Sequence, residues 1–251
     1  MSKTISIHQP NLMPWLGFFI KIWRSDIFII LDHTTNNIKD SQWFRRVNIN
    51  ISGKKSWLSL PIEKSDKGTF QRLREMKIRS DLSSQKLFRK YIKSIEQTYS
   101  NCDYFDKYKY LINDYFNNSD YSLLNRNMNF ISEILRVLKI DTEIKYSSSL
   151  YTSGSSNDLL IGLVKSVGGN IYLYGTGAVG YQDNKKFLSN GIKVVENNCY
   201  LIEYKQHNMG TFIDNLSILD IIFNIGPQKT EKYIKKFEKI TNIKNIMQTF
   251  K

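Results

Sequence analysis

Two short clusters hold two of the chain's three histidines: His8-Gln9-Pro10-Asn11 and, further on, Asp32-His33. An imidazole titrates close to neutrality, so His8 is a candidate general base, with rigid Pro10 and hydrogen-bonding Gln9 and Asn11 to fix its position. Asp32 is a candidate to orient that imidazole and to support the imidazolium formed when it takes a proton. Asn11, or backbone N–H groups near it, could stabilise an oxyanion. The plainer alternatives are a satisfied histidine at a strand end and an aspartate that caps the following turn. No Ser or Cys nucleophile stands out, because Cys102 lies in a helical, aromatic-rich stretch and no Gly-x-Ser-x-Gly elbow occurs.

Two further groups suit anions. Gly175-Thr176-Gly177-Ala178-Val179-Gly180 follows an apolar strand-like run, and successive backbone N–H groups in such a turn can cradle a phosphate. It lacks the apolar helix start and the acidic ribose partner of a dinucleotide site, so a tight turn without ligand is the alternative. Arg45 and Arg46, beside Trp43 and Phe44, combine cationic forks with flat rings, which suits a pyrophosphate and a base; a solvated strand edge is the alternative. His8, His33 and His207 have no ligand spacing to one another or to a carboxylate pair, so no metal is expected.

The elements that must position these groups follow from periodicity. Residues 4–8 alternate as a strand, 26–32 (DIFIILD) form a buried strand, and 15–25 between them carry Trp15, Phe18, Phe19, Ile22 and Trp23 at helical spacing. The opening is therefore β-α-β with parallel strands, and His8 and Asp32 lie at strand C-termini, where open parallel sheets bind ligands. Residues 43–64 read as a hairpin around Ser52-Gly53, about 83–140 as a helical subdomain, 155–169 as a helix with a Gly-Gly stop, and 228–245 as an exposed amphipathic helix. The expected fold class is α/β: a mostly parallel sheet flanked by helices, with a β-hairpin region and an inserted helical segment, in one domain over 1–251.

The excess of 36 Lys+Arg over 23 Asp+Glu, a net charge of +13, sets up a field that draws polyanions. Part of that excess is lysine filling surface positions in an Ile/Lys/Asn-rich chain. No RNP-like, helix-turn-helix or zinc-finger pattern accompanies it, so RNA binding rests on charge alone and would show steep salt dependence. Two distant cysteines argue against a disulfide framework, and no apolar run is long enough to span a bilayer. A cytoplasmic protein is expected.

His8-Gln9-Pro10-Asn11 with Pro14-Trp15-Leu16-Gly17, the strand ending at Asp32, the Asn48 segment, the Ser155-Ser156 helix start, the Tyr172-to-Gly180 turn and residues 212–226 (FIDNLSILDIIFNIG) together resemble the WbqC-like family. The chain departs from the family pattern at His33 and at Asp40-Ser41-Gln42-Trp43. The resemblance implies a role beside bacterial O-antigen and other surface-polysaccharide enzymes. It points to an N-acyltransferase, with acetyl-CoA as donor, acting on the amino group of a dTDP- or UDP-linked amino-deoxy sugar. A non-catalytic nucleotide-sugar or acyl-carrier binding protein of the same assembly is the alternative. On this reading His8, Asp32 and Asn11 carry the chemistry. Gln9, Trp15, His33, Arg45, Arg46, Asn48, Gly175, Gly177, Gly180 and Tyr181 hold the substrate and its phosphates.

Overall fold

A computed structural model describes residues 2–35, 42–64, 71–150, 152–175, 182–199, 203–207 and 210–240. The opening is β1 (Thr4–His8), α1 (Leu16–Trp23) and β2 (Ile27–Ile30), with the two strands parallel and His8 opposite Ile30. These strands are buried along nearly their whole length, from Ile5 and Ile7 to Phe28 and Ile29, because helices cover both faces of a parallel sheet. The hairpin follows as β3 (Arg46–Ile51) and β4 (Lys54–Ser59).

The helical subdomain comprises α2 (Leu82–Tyr99), α3 (Phe105–Tyr108), α4 (Tyr110–Phe116) and α5 (Leu123–Val137). Asp81 and Ser122 start α2 and α5 by accepting the backbone N–H of Ser84 and Asn125, which satisfies donors that a helix start leaves unpaired. The chain then returns to the sheet with β5 (Glu143–Tyr146), α6 (Ser156–Ser166), β6 (Ile171–Tyr174), α7 (Asn184–Ser189) and β7 (Lys193–Glu196), and ends its described part with α8 (Ile218–Lys235).

The sheet runs β5-β2-β1-β6-β7, every neighbouring pair parallel. Counting only these five strands in chain order, the arrangement is 3-2-1-4-5, which is the doubly wound order. Chain direction across the sheet reverses between β1 and β6, and ligands bind outside the C-terminal strand ends at such a reversal. Those ends bring His8, Asp32-His33, Ser147, Gly175 and Asn197 to one edge.

Two features of α8 were not legible as a plain amphipathic helix. The helix breaks at Gly226 (φ 77°), followed by Pro227, and a methyl group at Gly226 would lie 2.5 Å from the Tyr104 ring, so only glycine serves there. The expectation of an exposed terminal helix is also corrected. Trp23 Nε1 donates to the Phe237 carbonyl (2.9 Å), Thr4 Oγ1 donates to the Ile240 carbonyl (2.6 Å), and Ile234 is buried. An apolar stripe within the lysines anchors this segment onto α1 and β1; residues 241–251 lie outside the described residues.

Asp220, in the first turn of α8, is fully buried. Tyr99 and Tyr204 each donate a hydroxyl to it at 2.6 Å and Gln206 Nε2 donates at 2.9 Å. Burial raises its pKa above the usual carboxylate range, and the three hydrogen bonds oppose that rise. The amide of Gln206 in turn exchanges hydrogen bonds with the backbone of Ile213. One carboxyl group thus ties α2, α8 and the segment around Tyr204 together.

Candidate functional site

Because β2 and β5 pair with Ile30 opposite Tyr146, the residues just past each strand meet. Asp32 Oδ1 accepts the Ser147 hydroxyl (2.9 Å) and the Ser148 backbone N–H (2.9 Å), and its Oδ2 accepts the Ser148 hydroxyl (2.6 Å). Ser147 Oγ lies 2.6 Å from His33 Nδ1. A carboxylate can only accept, so the single serine proton points to Asp32, and His33 must donate from Nδ1. In the neutral ring that places the proton on Nδ1 and the lone pair on Nε2. Asp32, Ser147 and His33 form a directed relay whose outer end is the imidazole Nε2.

The relay opens into a cleft of about 230 Å³ lined by His33, Arg72, Arg74, Ser147, Ser148, Leu150 and Thr152. Backbone pairing delivers the two arginines. Thr35 bridges to Arg72, Leu73 N donates to the Thr34 carbonyl (3.1 Å), and Arg74 N donates to the Asp32 carbonyl (2.9 Å). Both side chains are exposed, and neither forms an ion pair with a described residue. Thr152 Oγ1 is buried in the cleft wall without a hydrogen-bond partner, a state that calls for a polar ligand or water. Two guanidinium groups without an ion-pair partner among the described residues, an unmatched hydroxyl and an imidazole nitrogen suit an anionic substrate that must lose a proton.

The expected pairing of His8 with Asp32 is not formed. His8 Nδ1 is bonded to the Gln9 carbonyl (3.0 Å), and its ring stands edge-on to Phe18 at 5.2 Å. Burial, and next the charge of Lys21, pull its pKa down to about 3, against the smaller upward effect of the Gln9 bond. So weak a base does not take protons near neutrality, and His8 instead presents a fixed acceptor at Nε2. Asp32 was drawn the other way because the serine turn, not β1, offers it hydroxyl and N–H donors.

The other expected residues are dispersed along the same edge and the hairpin. Asn11 is buried, with Oδ1 unpartnered. Gln9 is half-buried. The indole of Trp15 lies on Gly17, where a methyl group would stand 2.3 Å from its ring. Arg45 is spent inside the fold, donating Nε to Gln42 Oε1 (2.6 Å) and Nη1 to the Leu60 carbonyl (3.3 Å). Arg46 lies 4.6 Å over the Trp57 ring, so the expected phosphate-gripping pair is split. Asn48 is buried in β3 and its carbonyl accepts from Ser217 N (2.8 Å). Gly175 follows the last residue of β6 with no described atom close to where its Cβ would lie, while Gly177, Gly180 and Tyr181 lie outside the described residues.

Sequence reasoning missed Arg72, Arg74, Ser147 and Ser148, although the serine triplet 147–149 after the short alternating stretch Glu143-Ile144-Lys145-Tyr146 was a usable signal. It also missed Lys21, which is 4% exposed beneath the edge and donates Nζ to the Ile7 carbonyl (2.9 Å). Burial drags its pKa down to about 7, with the Cys199 sulfur a smaller opposing influence. Above that value the native amine is neutral while the unfolded one, near its ordinary value, keeps its proton. The unfolded state then binds more protons, so stability rises with pH. We expect urea unfolding to show a gain of about 2 kcal/mol between about pH 7 and about pH 9, from 1.36 kcal/mol per pH unit. Lys21→Met should flatten that slope, and an unchanged slope in the variant would refute the assignment.

Among the described residues no three His, Cys, Asp or Glu side chains gather as a metal site, and no helix is long and apolar enough to cross a membrane. The sequence model of the WbqC-like protein family matches residues 9–232. Rv1507c, an uncharacterised protein of Mycobacterium tuberculosis, is 29% identical over 232 residues, covering 90% of this chain and 95% of that protein. No solved structure matches the chain.

Proposed function

Since the chain belongs to the WbqC-like protein family, and since its Asp32–Ser147–His33 relay opens beside two exposed arginines, Arg72 and Arg74, we propose that it is an N-acyltransferase acting on a nucleotide-linked amino-deoxy sugar. The relay carries this reading. An amine attacks a thioester only through its lone pair, and as the C–N bond forms its nitrogen becomes cationic. His33 Nε2 accepts the proton then released. The resulting imidazolium is held by Nδ1–H donating to Ser147 and, through that hydroxyl, by the Asp32 carboxylate. Collapse of the tetrahedral intermediate breaks the C–S bond, and the thiolate leaves and takes back a proton from His33. The donor is acetyl-CoA, whose phosphates, like the sugar nucleotide's, match a strongly cationic chain.

Arg72 and Arg74 bind the substrate's phosphate equally in ground and transition states. Replacing either by Ala should therefore raise KM for the sugar nucleotide roughly 10- to 100-fold, at about 1.5–3 kcal/mol per charge-assisted contact, with kcat little changed. The decisive experiment incubates the protein with acetyl-CoA and UDP- or dTDP-linked amino sugars, reading free thiol and acetylated product by mass spectrometry. Product that depends on His33 sustains the proposal. Sugar nucleotide that binds but is never acylated, by acetyl-CoA or by an acyl carrier protein, would leave a binding protein of polysaccharide assembly as the better account.

A further inference from the structure

Three of the chain's four tryptophans, Trp15, Trp43 and Trp57, are 37%, 38% and 48% exposed. They are not scattered. Trp15 bridges to Ser217, Ser217 N bonds the Asn48 carbonyl, and Asn48 lies opposite Trp57 in the hairpin. The Trp43 carbonyl accepts from Leu12 N (2.9 Å), and buried Asn127 donates Nδ2 to both the Pro10 and Phe44 carbonyls (2.8 and 2.7 Å). The base of the hairpin is therefore locked to the turn that follows β1, at the edge of the sheet that carries the relay. Trp43 and Trp57 stand 5.3 Å apart at 46°, with the Arg46 guanidinium 4.6 Å over Trp57.

Large rings left in water and gathered with a cation mark a binding surface rather than packing. We propose that Trp43, Trp57 and Arg46 form a stacking platform for the nucleobase of a nucleotide ligand, an inference that rests on the acyltransferase reading for its choice of substrate. The cleft at His33 is smaller than the roughly 300–1,000 Å³ that enclose a drug-sized ligand, so a sugar nucleotide must lay its remaining parts on surface outside it. Every base offers a flat π-face to an indole, and uracil and thymine add carbonyl oxygens for a guanidinium. The Arg46 guanidinium beside the rings favours a base tethered to phosphate over a neutral pyranose, whereas the charge of Lys55 at the hairpin end is already balanced by Asp214 (2.7 Å).

Calorimetric titration of the full chain with UDP and with inorganic pyrophosphate separates the base from the phosphates. UDP should bind the wild type more tightly, and Trp57→Ala and Trp43→Ala should each weaken UDP about 5- to 100-fold while pyrophosphate is unaffected. Trp57→Phe, which keeps a ring, should retain most of the affinity, and a matching thermal melt excludes misfolding as the cause. Equal affinity for UDP and pyrophosphate in the wild type, no binding of either, or tryptophan variants that bind UDP normally would each overturn the platform. The two proposals fail separately. Acyl transfer indifferent to both tryptophans removes the platform alone, whereas base-dependent binding without acyl transfer removes the enzyme alone.

Discussion

His33→Gln is expected to slow the acyl-transfer step by about 10²- to 10⁴-fold, the usual contribution of a positioned general base, while leaving substrate affinity nearly unchanged. Glutamine keeps polar atoms near the ring's place but cannot take up a proton. Ser147→Ala should cost less, because Asp32 keeps both bonds from Ser148 while the imidazolium loses its link to the carboxylate. His8→Asn is the informative contrast. With its ring held as a neutral acceptor by burial and by Lys21, it should change turnover far less than His33→Gln. Single-turnover rates at saturating substrate measure all three, and wild-type rates for His33→Gln would remove the relay from the mechanism.

Asp220→Ala should cost about 3–5 kcal/mol of folding stability, the largest effect we expect away from the site. Its removal strips two tyrosine hydroxyls of their acceptor and takes one of the partners of the Gln206 amide, which keeps its bonds to Ile213, each lost partner costing about 1–3 kcal/mol, and leaves a cavity besides. At this chain length a loss of that size lowers Tm by roughly 10 °C, on a scale of about 2–4 °C per kcal/mol. The segment around Tyr204 hangs from this carboxyl group, so hydrogen exchange there should speed up before exchange in β1 does. A melt within about 2 °C of wild type would show that Asp220 is tolerated rather than required.

The local grammar of the sequence was readable. Alternation over 4–8, the helical stripe from Trp15 to Trp23 and the Ser52-Gly53 turn each encode an element within a few residues, and β1, α1, β2 and the β3–β4 hairpin formed as expected. The site was less readable because its parts are joined by strand order. Nothing near Asp32 reveals that β5, rather than β1, will supply its donors, since Ser147 is 115 residues away in sequence. Arg72 and Arg74 sit in an irregular segment without periodicity and reach the cleft only by backbone pairing to residues 32–35. Arg45 and Arg46 drew attention as adjacent cations, and only the fold shows one braced inward and the other laid on an indole.

The strand at the centre of the sheet is translated before the other four, and one of its two neighbours, β6, before only β7. Thr4 pairs with Ile171 and its hydroxyl waits for Ile240. During synthesis β1 can dock β2 at once, but its other edge keeps bare N–H and C=O groups until β6 has been translated, well over a hundred residues later. An uncovered edge of that kind templates pairing with other chains. Nascent chains stalled before residue 171 should therefore depend on chaperones to stay dispersed, and an N-terminal fragment lacking β6 should collect in the insoluble fraction even though it contains the complete relay.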